Sequence, residues 1–216
     1  NGTSWTQIVA STAASAGSYS WTVPNSTTTQ ALVRITDTSD NTVTDQSNAA
    51  FTIYQPTVTV TLPNGGENWR IGTTQNITWT SSNVTNVKLE YSINNGTSWT
   101  QIVASTAAST GSYSWTVPNS TTTQALVRIT DTSDNTVTDQ SNAVFTIYTP
   151  TVTVTSPNGG ENWKVGTNQN ITWTSSNVTN VKLEYSIDNG TSWTTIIAST
   201  AASAGSYSWT VPNSST

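Results

Sequence analysis

The chain has 216 residues, only 8% of them charged, with a formal net charge of −5. That balance offers nucleic acid or an anionic membrane nothing to hold. There is no Cys, no His and no Met, which excludes disulfides, thiolate chemistry and the commonest acid–base and transition-metal side chain.

Along the chain the first feature is repetition. "NGTSWTQIVASTAAS" begins at Asn1 and again at Asn95, and "NGTSWTTIIASTAAS" begins at Asn189. The period is 95 − 1 = 94 residues and then 189 − 95 = 94. Residues 1–55 and 95–149 differ at three places, Ala16/Thr110, Ala50/Val144 and Gln55/Thr149. A unit of this length fits an independently folding domain, not an ankyrin- or TPR-type repeat. "TIYQPTVTVT" and "TIYTPTVTVT" join two strand-like runs through a Pro. The expected boundaries are therefore Gln55/Pro56 and Thr149/Pro150. Residues 56–149 form one complete repeat, 1–55 the C-terminal part of another, and 150–216 the N-terminal part of a third.

Within the complete unit the apolar period is two, and Thr, Val and Ile dominate. Val58, Val60 and Leu62 share a face in "TVTVTLP", as do Ile77 and Trp79 in "NITWTS". In "VKLEYSI", Val87, Leu89, Tyr91 and Ile93 oppose Lys88 and Glu90. "SWTQIV" follows, then "GSYSWTVP" with Tyr113, Trp115 and Val117 aligned. "ALVRIT" and "AVFTIY" complete about seven strands, separated by "PNGGEN", "SSN", "NNG", "STG", "PNS" and "TSDN". One apolar face per strand predicts an all-β fold of tandem immunoglobulin-like (fibronectin type III-like) antiparallel sandwiches. A propeller needs about four strands per blade and several blades, which this unit does not offer.

The stretch "SPNGGENWKVGTNQNITWTSSNVTNVKLEYSIDNGTSW", Ser156–Trp193, resembles the immunoglobulin-like tandem repeat of bacterial and archaeal cell-surface proteins. The same domain family includes Ser/Thr-rich, GPI-anchored fungal wall proteins. "GSYSWTVP" and "VRITD…DQSNAVFTI" extend the likeness over essentially the whole chain. The resemblance implies an extracellular module with no family-wide catalysis, and it transfers no catalytic residue.

"YSIDNGTSW" matches the Asp-box, a hairpin best known from sialidases. Gly190 supplies a positive-φ position, Asp188 and Ser186 bond turn amides, and Trp193 packs beneath. The middle copy has Asn94 in place of Asp188, so no carboxylate base is required there. A sialidase would also need an arginine cluster for its substrate carboxylate, and each repeat has at most two Arg. Asp131, Asp134 and Asp139 are hard oxygen ligands near one loop. They are candidate Ca²⁺ ligands at a domain junction, with turn formation as the plain alternative. Trp69 and Trp99 follow turns and are candidates for stacking on sugar rings, whereas Trp79 and Trp115 are expected in the core. Ten Asn fit the N-glycosylation triplet, and Asn83, Asn119 and Asn177 are the candidates set in loops.

These readings predict a non-catalytic structural module of a long cell-surface or secreted stalk, adhesin or filament. No cofactor is expected beyond junctional Ca²⁺. The partners are neighbouring repeats, other copies in a filament, or glycans. Low charge with abundant Ser and Thr points to an extracellular location. The alternative is a carbohydrate-binding module using exposed Trp residues.

Overall fold

A computed structural model describes residues 4–213 of the chain. The first group of strands is β1 (Thr28–Ala31), β2 (Arg34–Thr36), β3 (Thr44–Gln46) and β4 (Phe51–Ile53). The middle group is β5 (Thr57–Leu62), β6 (Asn68–Arg70), β7 (Thr74–Ser82), β8 (Asn86–Ser92), β9 (Thr100–Ala107), β10 (Ser112–Thr116), β11 (Thr122–Asp131), β12 (Thr138–Gln140) and β13 (Phe145–Tyr148). The last is β14 (Thr151–Ser156), β15 (Asn168–Ser176), β16 (Asn180–Tyr185), β17 (Thr194–Ala201) and β18 (Ser206–Thr210). Among the described residues, every strand pairs within its own group.

The middle group is a two-layer sandwich. One sheet runs β10-β7-β5, and the other runs β6-β13-β11-β8-β9 with β12 also on β11. All pairs are antiparallel except β13 with β6. Alternation aims Val58 and Val60 of β5, Ile77 and Trp79 of β7, Val87 and Leu89 of β8, and Val127 and Ile129 of β11 into one core. Burying each such aliphatic side chain is worth about 1.5–3 kcal/mol before ordering costs. Aromatic rings close one end of the core, with Trp69 4.9 Å from Phe145 and 6.0 Å from Trp115. The Trp79 indole donates to the Ala108 carbonyl at 2.9 Å, which lets its polar edge be buried.

Two short strands add to the seven read from sequence. β6 and β12 have three residues each and no apolar alternation, so only their partners define them. Ile93 departs from the expected face. β8 ends at Ser92, and Ile93 is exposed at the start of the turn.

Polar groups tie the two layers at their edge. The buried Ser141 Oγ donates to the Pro63 carbonyl at 2.7 Å and accepts the Val127 amide at 3.0 Å. The Val60 amide donates to Asp139 Oδ2 at 2.8 Å, and the Asn142 amide donates to Asn64 Oδ1 at 2.7 Å. The "PNGGE" turn therefore seats on the chain between β12 and β13. At Gly65 (φ 129°) a Cβ would stand 2.6 Å from that of Ala143, so only Gly fits there.

The outer groups place the same residues in different surroundings. Ile35 is 76% exposed, whereas its counterpart Ile129 is fully buried. Val154 is 47% exposed against 1% for Val60. Residues 100–107 form β9, yet the identical residues 6–13 form no strand. In the last group β15 and β16 still bury a smaller core of Ile171, Trp173 and Val181, with Ala202 beside them.

Ser141→Ala should destabilise the middle sandwich by ~1–3 kcal/mol, because the buried Val127 amide loses its acceptor. The matching Ser47→Ala, at a half-exposed site, should cost less. Urea unfolding checks both, and equal effects would contradict the bridging role.

Candidate functional site

The Asp-box turn lies between β8 and β9, and again between β16 and β17. In the third copy Ser186 Oγ donates to Asp188 Oδ1 at 2.7 Å and accepts the Gly190 amide at 2.8 Å. Asp188 Oδ1 accepts the Ser192 amide at 2.9 Å, and the Ser192 hydroxyl donates to Asp188 Oδ2. In the middle copy Ser92 Oγ donates to Asn94 Oδ1 at 2.8 Å, and Asn94 Oδ1 accepts the Ser98 amide at 3.0 Å. The one difference is a proton: Asn94 Nδ2 donates to Ser98 Oγ at 2.9 Å, where Asp188 accepts from Ser192. A hydroxyl serves in either role, so Asp and Asn build the same turn. Positive φ falls on two successive residues, Asn95 with Gly96 and Asn189 with Gly190. Sequence reading found only the Gly. An exposed carboxylate used as a turn acceptor has its pKa lowered. That of Asp188 falls to about 2, through the Ser192 hydroxyl first, then the Ser192 amide and Ser186.

The Trp residues correct the sugar-stacking expectation. Trp69 is buried in the core against Trp115 and Phe145, so it has no free face. Trp99 packs under the turn, 3.5 Å from where a Gly96 Cβ would lie, and the Arg128 guanidinium sits 4.2 Å over its ring. Arg34 covers Trp5 likewise at 4.3 Å. Trp193 has no such cation over it among the described residues and is 61% exposed. Arg128 also reaches Glu90, 2.7 Å from Nη2, and Lys88 lies 3.2 Å from the other Glu90 oxygen. Burial alone would raise the Glu90 pKa, but the hydrogen bonds from Arg128 and then Lys88 outweigh it and lower it.

The structure does not bring the three candidate calcium ligands together. Asp131 Oδ1 accepts the Ser133 amide and hydroxyl at 2.9 and 2.8 Å. Asp134 Oδ1 accepts the Thr136 amide and hydroxyl at 2.9 and 2.6 Å, and these donors lower its pKa, the hydroxyl most. Asp139 is turned to the Val60 amide in the facing sheet. Among the described residues no group of three or more His, Cys, Asp or Glu is arranged to hold a metal ion. No helix there is long and apolar enough to cross a membrane.

Asn83, Asn119 and Asn177 are all exposed. Asn83 and Asn177 share a setting that the sequence pattern does not reveal. Thr28, Ile53, Tyr54 and Asn83 line an open groove of 320 Å³ where the first and middle groups meet. Thr122, Ile147, Tyr148 and Asn177 line one of 380 Å³ where the middle and last groups meet. The signal was the recurrence of Tyr beside the Pro junction, which sequence reading used only as a boundary. Asn1 and the end of the Asn213 triplet lie outside the described residues.

No family model and no curated protein matches the chain. Among solved structures, it aligns with the fibronectin(III)-like modules of Clostridium thermocellum CbhA at 21% identity. The alignment covers 71% of this chain and 78% of that one, with a TM-score of 0.29. So loose a superposition carries no weight, and the sandwich assignment rests on the sheets themselves.

The two turns should differ in acid. A lowered folded pKa means that the Asp188 carboxylate contributes fully above its unfolded value, near 4, and loses that contribution as pH falls through about 2. Amide NMR should show the Gly190 and Ser192 signals moving over that range while Gly96 and Ser98 stay fixed. Asp188→Asn should abolish the movement and keep the turn. Loss of the turn in that variant at neutral pH would contradict the interchange.

Proposed function

We propose that this chain is a non-catalytic structural module whose tandem sandwiches form the shaft of an extracellular stalk, adhesin or filament. The observation that carries the reading is the recurrence of the junction. Apart from Gln55 in place of Thr149, the same residue types line both grooves, 94 positions apart. A repeated joint built from the same groups favours one preferred angle between units, as a shaft requires. The linker supports this too, because a single Pro after one residue leaves little slack.

The chemistry of the surface is consistent with the reading. The carboxylates described above are engaged as turn acceptors, as the inter-sheet acceptor Asp139, or in ion pairs. The family resemblance carried by the "PNGGE" and "YSIDNGTSW" motifs points the same way, toward tandem modules on cell surfaces. Trp69 and Trp99 are occupied by the fold, whereas the 61% exposed Trp193 leaves the carbohydrate-binding alternative to the glycan array below.

Electron microscopy of the native material tests the proposal. It should show an unbranched rod with a repeat of roughly 35–40 Å per unit, from about 3.3 Å per strand residue plus loops. Beads at random angles, or a compact particle, would overturn the shaft. Saturable binding on a glycan array would overturn the non-binding part.

A further inference from the structure

We propose that Asn83 and Asn177 each carry an N-linked glycan whose first sugar fills the groove between neighbouring units. The inference rests on the extracellular reading above, because the modification needs a secreted chain. Asn83-Val84-Thr85 and Asn177-Val178-Thr179 are acceptor triplets in the same loop of successive units. That loop joins β7 to β8, and its counterpart joins β15 to β16, so the triplet lies outside both sheets. The Asn and the Thr of each triplet are exposed. Each Asn has positive φ, 56° and 54°, and its Nδ2 reaches only the neighbouring serine hydroxyl, at 3.1 and 3.2 Å.

Other triplets sit differently. Asn76 and Asn170 are inside strands β7 and β15. Asn95 is committed to the Asp-box turn, its amide donating to the Gln124 carbonyl at 2.9 Å. Asn119 lines neither groove.

The groove suits a sugar. It is shallow and open to solvent, so a sugar tethered at its rim can lie in it without displacing protein. Tyr54 or Tyr148 is part of its lining, and an aromatic ring there offers an apolar surface to a pyranose. The threonines beside it supply hydroxyl donors and acceptors. The Asn belongs to one unit and the Tyr and Thr wall to the unit before it. A sugar fixed to the Asn therefore becomes a strut across the joint.

The transfer balances with a polyprenyl diphosphate-linked oligosaccharide as donor. A bond forms between Asn Nδ2 and the anomeric carbon of the sugar, and the bond from that carbon to the phosphate oxygen breaks. The lipid diphosphate leaves with the electron pair, and the amide proton passes to a base of the transferase.

Glycopeptide mass spectrometry on protein isolated from the cells that make it tests the proposal, with surface labelling of the same cells. Ile71 against Val165 and Thr74 against Asn168 give the two otherwise matching peptides different masses. Carbohydrate mass on both Asn83 and Asn177 is expected. Bare asparagines in a surface-labelled chain would overturn this proposal and leave the extracellular reading intact. A chain that escapes labelling would overturn the extracellular reading and the glycan with it. Small-angle scattering separates strut from decoration. Asn83→Gln with Asn177→Gln should broaden the distribution of end-to-end distances, and an unchanged distribution would overturn the strut.

Discussion

The structure depends on one constraint: each strand has a single apolar face, and only a facing sheet can cover it. Where two sheets meet, between residues 57 and 148, the Val, Ile and Trp faces are buried. In the last group, a part of a repeat, β15 and β16 bury a smaller core of Ile171, Trp173 and Val181. Ile129 and Ile35 have the same neighbours in sequence and opposite burial. Local propensity is therefore permissive here, and the contact across the layers decides.

That constraint also sorts the polar residues. Several carboxylates sit where a local donor satisfies them: Asp188 in its turn, Asp134 beside Thr136, Glu90 between Arg128 and Lys88. Ser141 and Asp139 go further and bind the facing layer. These groups are parts of turns and seams.

The strands were legible because their period of two is clean, and the Asp-box was legible because its spacing is fixed. The interchange of Asp188 and Asn94 could be read from the neighbouring copies. Other features needed three dimensions. β6 and β12 exist only through β13 and β11. The guanidinium over Trp99 comes from a residue opposite Glu90 in the pairing of β11 with β8, and no spacing rule predicts it. Asp131, Asp134 and Asp139 are near in sequence, but each is held by its own donors, which spacing along the chain does not show. The junction grooves stayed hidden because their two walls come from different repeats.

Hydrogen exchange on the intact chain tests the central constraint most directly. Peptides spanning Ala50 and Val144 differ in mass, so the two copies of β4 and β13 can be followed apart. Layer-to-layer contact predicts that the Val144 peptide exchanges on the order of a thousandfold more slowly, about 4 kcal/mol of extra opening cost. Equal protection of the two peptides would show that the strands are stable without a facing sheet, and would contradict the account.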